Sequence, residues 1–143
     1  MAELNKIFKD GKIKGQFSEE INEELAEKIG RATVCFLNCK KVAVGKRGEK
    51  EAGKIANAII EGLISQGANV KKMSETDTVA LYKEMGISGA DAGILVSAEQ
   101  SVITIEILKK DAEPLDEENG LKEIRVLAEK GLFTECEEKG TVE

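Results

Sequence analysis

Apolar residues along this chain switch between two spacings, and the switches mark out alternating helices and strands. Ile21, Leu25, Ile29, Ala32 and Phe36 recur every three or four positions, which predicts a helix from about Asn22 to Phe36. Asn22 is placed to cap it, and Glu23 and Glu24 suit the positive end of the helix. The same spacing returns in Ala52, Ile55, Ala56, Ile59, Ile60, Leu63 and Ile64. This gives a longer helix from about Glu49 to Gln66, with Gly67 as its left-handed stop. A short helix is expected over Thr76–Met85, closed by Gly86. A last one runs from about Asp116 to Lys130 and ends at Gly131, with Leu121, Ile124, Leu127 and Ala128 facing inward.

Between the helices lie short apolar runs. Lys41–Gly45 reads as a strand, Asn69–Met73 as a weaker one, and Ile7–Phe17 as a strand or extended arm interrupted by Gly11 and Gly15. Ala92–Val96 is continuously apolar and Val102–Leu108 partly alternates, so the first is expected to be largely buried and the second half-covered. Their short connection makes them antiparallel neighbours. The fold class that follows is α/β: a single three-layer domain, with a mixed β-sheet and helices on both faces. Residues 1–133 form that domain, and residues 134–143 form a polar C-terminal tail, expected to fray.

Charge narrows the partners. Asp and Glu number 27 against 21 Lys and Arg, a net charge of −6, which argues against nucleic acid as a partner. No apolar run approaches the ~20 residues of a membrane span, and the amino terminus lacks a signal peptide's apolar core, so a cytoplasmic protein is expected. Cys35, Cys39 and Cys136 cannot all pair within one chain, which suits a reducing compartment. A zinc site would need a carboxylate beside three thiolates, because the chain has no histidine and its cysteines are not spaced Cys-x-x-Cys. Small buried or surface thiols are the simpler reading, and no metal or other cofactor is expected.

Gly48-Glu49-Lys50-Glu51-Ala52-Gly53-Lys54-Ile55 comes close to a phosphate-binding P-loop, but isoleucine stands where a magnesium-binding hydroxyl belongs. Ala52 and Ile55 also belong to a helical stripe. Gly53 and Lys54 therefore sit inside the helix, where free backbone amides cannot form a cradle. Ser97-Ala98-Glu99-Gln100-Ser101, read as a loop past a strand end, is a better place for chemistry. Its centre is a carboxylate.

That loop, with the strand before it, Gly93-Ile94-Leu95-Val96, resembles the phosphoserine loop of the α-D-phosphohexomutases, the phosphomannomutases and phosphoglucomutases. In that family the strand runs into Thr-Ala-Ser-His-Asn-Pro and the serine carries the phosphoryl group. Here Glu99 stands at the serine position, followed by Gln100, Ser101 and Val102, and the loop is shorter. Residues 24–32 resemble the family's first helix, Lys41–Gly45 its next strand, residues 58–67 its second helix, and Asn119–Ile124 the end of its first domain. The likeness covers roughly Ile7 to Phe133.

The resemblance implies a fold like phosphohexomutase domain I. It also implies that the magnesium-binding second domain is missing, since no Asp-x-Asp-x-Asp pattern occurs and magnesium is expected only for a complete member. Lys14 stands for the arginine of the family's Ile-Arg-Gly, and Lys46 and Arg47 for the arginine and aspartate of its Gly-Arg-Asp. Asp77-Thr78-Val79 replaces Pro-Thr-Pro. Arginine grips phosphate with a planar fork whereas lysine is a flexible point charge, so these changes alter the chemistry. Lys14, Lys46 and Arg47 are candidate phosphate-binding residues around Glu99. No catalytic residue is assigned.

The expected role is therefore a non-catalytic homologue of the first domain that acts by binding or association, as a homo-oligomer or with a partner chain. One alternative is a phosphosugar mutase component completed by other domains or a partner chain. Another is a regulator that binds a sugar phosphate. Whether the chain is an enzyme stays open at this stage, with activity on its own not expected.

Overall fold

A computed structural model describes residues 4–143 apart from 10, 111–112, 132, 134–135 and 137. One helical turn, α1 (Leu4–Ile7), leads into a hairpin of β1 (Phe8–Lys9) and β2 (Lys12–Gln16). α2 (Glu23–Leu37), β3 (Lys41–Gly48), α3 (Lys50–Ser65), β4 (Asn69–Glu75) and α4 (Thr78–Ser88) alternate after it. β5 (Ala92–Glu99), β6 (Val102–Lys109), β7 (Glu113–Pro114) and α5 (Lys122–Lys130) complete the order. Among the described residues the sheet has seven strands, ordered β1-β2-β6-β5-β3-β4, with β7 pairing with β6. β3 runs parallel to β4 and β5, whereas β6 is antiparallel to β2, β5 and β7. The mixed sheet expected from the short β5–β6 connection is present.

The two faces of the sheet are covered unequally. α2, α3 and α5 bury the larger core, where Ile29, Ile55, Ile59, Leu63 and Ile124 meet Val44, Ile94, Val96, Ile103 and Ile105. On the other face α4 covers only a small patch, with Leu81 and Met85 over Ala43, Leu95 and Leu108. β5 is buried on both faces, which explains its unbroken apolar run. β6 alternates because Val102, Thr104 and Glu106 point to the thinly covered side.

Local signals fix most of the helix ends. The Asn22 side chain accepts from Leu25 N at 2.9 Å, as its capping position predicts. Gly67 has φ 89°, the left-handed stop expected after α3. α4 departs from expectation. It starts after Asp77, whose side chain accepts from Ala80 N at 2.8 Å, and closes at Gly89 with φ 71°. Gly86 lies inside the helix and does not end it. Asp116 begins the last helix, but the first turn, Glu117–Leu121, is a wide π-turn that kinks at Gly120, and the regular α5 starts at Lys122.

The tail also departs from expectation. Val142 bridges to Val70 in parallel, and Val70 N donates to Thr141 O at 2.7 Å. These residues are paired to the sheet edge because β4 leaves backbone donors and acceptors open there.

Candidate functional site

β3 and β5 end side by side, with Gly48 paired to Ala98. Parallel α/β sheets usually place their chemistry at this carboxyl end. β5 then turns directly into β6. Ser97, Ala98 and Glu99 are strand residues opposite Thr104, Ile103 and Val102, and the turn consists of Gln100 and Ser101 alone. Their φ values of 52° and 64° fit a two-residue type I′ hairpin, in which both central residues are left-handed. The loop read from Ser97 to Ser101 is thus corrected to a tight turn, because the strand pairing continues through Glu99.

A second carboxylate holds this turn. Glu49 accepts from Gln100 N at 2.8 Å and from Ser101 N at 3.0 Å. The Ser101 amide first, and then the Gln100 amide, keep its carboxyl below the ordinary glutamate range. Glu49 N donates to Ala98 O at 3.0 Å, and Phe17 N donates to Ser101 O at 2.8 Å. Beside it Gly48 N donates to Glu75 Oε1 at 2.7 Å. Gly48 is required here, since its φ is 92° and a Cβ would run into the Ala98 carbonyl oxygen. The β3–α3 junction and the β5–β6 turn are therefore tied together by backbone amides that meet the chain's own acids.

The candidate residues from the sequence divide between the faces of the sheet. Lys14, Thr104, Ser97 and Arg47 form one cross-strand row on the face that α4 leaves open, and Glu99 lies two residues beyond Ser97 on the same side. Three strand spacings separate Lys14 from Arg47, roughly 14 Å between backbones. Lys46 belongs to the other face. Its Nζ lies over the first turn of α3, 3.4 Å from where a Cβ on Gly53 would sit. The sheet therefore parts Lys46 from Glu99, and the three cations do not converge. Among the described residues no ion pair joins Glu99 to Lys14, Lys46 or Arg47. Gly53 and Lys54 lie inside α3, the placement on which the P-loop reading was rejected.

Glu49 and Glu75 went unnoticed in the sequence. One signal was available for Glu49: it precedes α3 at the capping position, yet its side chain caps no amide of that helix. A carboxylate left over from capping has reach to spare. Its grip gives a pH prediction. A depressed folded-state pKa contributes stability above the ordinary glutamate value of about 4.3, and that contribution is lost as pH falls through the lowered value. Glu49→Gln should therefore be less stable than the parent at pH 7, with the difference vanishing in acid. Urea midpoints measured across pH check this, and a difference constant with pH would remove the turn contact as its cause.

Among the described residues the remaining groups do not form a site together. Cys35, Cys39 and Cys136 form no disulfide with one another, and burial pushes the Cys39 thiol up to about 12, which leaves it inert. Among the described residues no cluster of three His, Cys, Asp or Glu is arranged to hold a metal ion. No helix among them is long and apolar enough to cross a membrane. An open depression of about 450 Å³ beside α4 is lined by residues such as Tyr82, Met85, Asp91 and Lys110, and none of the candidate residues reaches it.

Against known proteins, residues 5–134 match the family described as phosphoglucomutase/phosphomannomutase, alpha/beta/alpha domain I. The chain belongs to that family. A phosphomannomutase of Vibrio cholerae is 32% identical over 98% of this chain, which spans 32% of that relative's length. A Klebsiella pneumoniae phosphomannomutase is 31% identical over 88% of the chain, which here covers 82% of the relative. A solved phosphoglucomutase/phosphomannomutase family protein from Burkholderia thailandensis superposes with a TM-score of 0.86 at 19% identity. It covers all of this chain and 33% of its own. The family's domain I fold is thus present, mixed sheet and flanking helices included.

Proposed function

We propose that this phosphohexomutase domain I homologue does not transfer phosphate by itself and works by association, with a second copy or a partner chain. One observation carries the reading: the strand end where the family resemblance expects a phosphoserine holds exposed Glu99, in a hairpin whose turn amides are occupied by Glu49. Phosphoryl transfer depends on positioning and on charge gathered around the transferring group. Here Lys46 is on the far side of the sheet, and among the described residues neither Lys14 nor Arg47, which share the face of Glu99, forms an ion pair with it. Three cysteines without a disulfide among them suit a reducing compartment, so the cytoplasm is the proposed location.

A second reading rests on the share of the relatives that the chain spans, 32% of the Vibrio protein. On that reading the chain is a mutase component whose metal and sugar-gripping parts come from other domains or a partner chain. One experiment separates the two. The purified chain is incubated with a hexose 1,6-bisphosphate and magnesium, alone and with candidate partner chains, and its intact mass is followed. The expected result is no phosphate adduct in either arm. Stoichiometric phosphorylation of the chain alone would overturn the first reading, and an adduct formed only with a partner would establish the second.

A further inference from the structure

β4 is the last strand of the sheet, and an exposed edge of this kind is a template for any extended chain. Residues 140–143 occupy it. Val70 N donates to Thr141 O at 2.7 Å, Glu143 N to Val70 O at 2.8 Å, and Lys72 N to Glu143 O at 3.1 Å. Two further features make the fit selective. Gly140 N donates to Ile64 O at 2.8 Å, and a Cβ on Gly140 would run into the backbone of Ala68, so only glycine fits. Thr141 gives both its amide (3.0 Å) and its hydroxyl (3.2 Å) to Asn69 Oδ1. Val142 contributes less, being 45% exposed. The edge therefore selects an extended segment with glycine first and a hydroxyl residue next.

We propose that the β4 edge from Ala68 to Lys72 is a strand-accepting site for an extended Gly-Thr-Val-acid segment, and that a second copy of the chain supplies that segment by reciprocal exchange. The segment already seated in this structure is the chain's own, so its copy in another molecule makes the same bonds in the same register. Nothing in residues 140–143 belongs to the helical core, so a swap leaves both folds intact. Cis and exchanged states then differ only in tethering entropy. A short tether is worth a local concentration on the order of mM, so exchange should become substantial at protein concentrations of ~1 mM and remain small at ~10 µM. The inference deepens the association part of the proposed function and is independent of its phosphoryl-transfer part.

The test combines light scattering with amide hydrogen exchange on the full chain and on Gly140→Leu. Far-UV circular dichroism serves as the folding control. The parent should form dimers in proportion to concentration and protect the Val70 and Lys72 amides. Gly140→Leu should stay monomeric and lose protection at those two amides alone. A synthetic peptide carrying residues 138–143 should bind the variant and restore that protection. A parent that remains monomeric at ~1 mM overturns exchange between copies, since the tethering argument places the midpoint there. Dimers formed equally by Gly140→Leu would keep association but put it on another surface. A peptide that leaves the variant's edge unprotected would dismiss the site itself.

Discussion

Gly62→Ala is expected to destabilise the protein by roughly 2 kcal/mol, a penalty of overpacking that exceeds alanine's helix preference of about 1 kcal/mol. α2 and α3 touch backbone to backbone at two glycines. A Cβ on Gly62 would meet the Glu27 carbonyl oxygen and lie 3.0 Å from Arg31 N. A Cβ on Gly30 would meet the Ile59 carbonyl oxygen and lie 3.1 Å from Leu63 N. Backbone atoms cannot swing aside as a flexible side chain can, so the helices must separate and loosen the larger core between them and the sheet. At about 2–4 °C per kcal/mol for a domain near 150 residues, the melting temperature should fall by roughly 6 °C. Gly30→Ala should behave alike. The double variant should lose less than the sum, because the first substitution already opens the gap that the second needs. Gly86→Ala supplies a control of opposite sign. Gly86 lies inside α4 with nothing within 4 Å of its Cβ position, so it should gain up to about 1 kcal/mol. Calorimetry on the parent and the four variants decides the matter, and a neutral Gly62→Ala would show that the helices can part without cost.

Much of this architecture was legible in the residues, for identifiable reasons. The stripe of Leu25, Ile29 and Ala32 gave α2, and the stripe of Ile55, Ile59 and Leu63 gave α3, because each lines one side of one cylinder and faces a single core. β5 and β6 were legible as neighbours because even the five-residue connection read between them, Ser97–Ser101, is too short for the crossover that parallel strands need. α4 was legible as a helix but not in its limits. Val79, Tyr82 and Ile87 are exposed while Leu81 and Met85 are buried, so apolar residues surround the helix and no stripe marks its end. With two glycines near that end, only the backbone angle distinguishes Gly89 from Gly86.

The candidate site was legible in its residues and hidden in its facing. Lys46 and Arg47 are adjacent in a strand and must point to opposite sides of the sheet. Which of them shares a side with Glu99 depends on register between β3 and β5, and single-sequence periodicity does not carry register. The hold of Glu49 on the turn was hidden for a related reason. It links positions 51 residues apart in sequence, through amides that any residue would present. The tail's pairing with β4 involves backbone groups as well, and its only side-chain marks are Gly140 and Thr141.

Unequal covering of the two faces leads to the other large effect, seen by comparing Ile105→Ala with Leu81→Ala. Both side chains are fully buried, and removing so much buried hydrocarbon costs about 2–5 kcal/mol. The difference lies in what each loss releases. Ile105 sits on β6 within the core shared by α2, α3 and α5, so its truncation should lower the global unfolding free energy and accelerate exchange of every slow amide together. Leu81 belongs to the patch that fastens α4 alone, together with Ala43, Met85, Ala90, Leu95 and Leu108. Its truncation should free α4 as a unit. Amides of residues 81–88 should exchange faster by a factor of about thirty or more, given 2 kcal/mol at 1.4 kcal/mol per tenfold. Amides of α3 and β6 should keep nearly their parental protection. Residue-resolved hydrogen exchange on both variants reads this directly. Uniform loss of protection in Leu81→Ala would mean that the thin layer is as integral to the fold as the thick one.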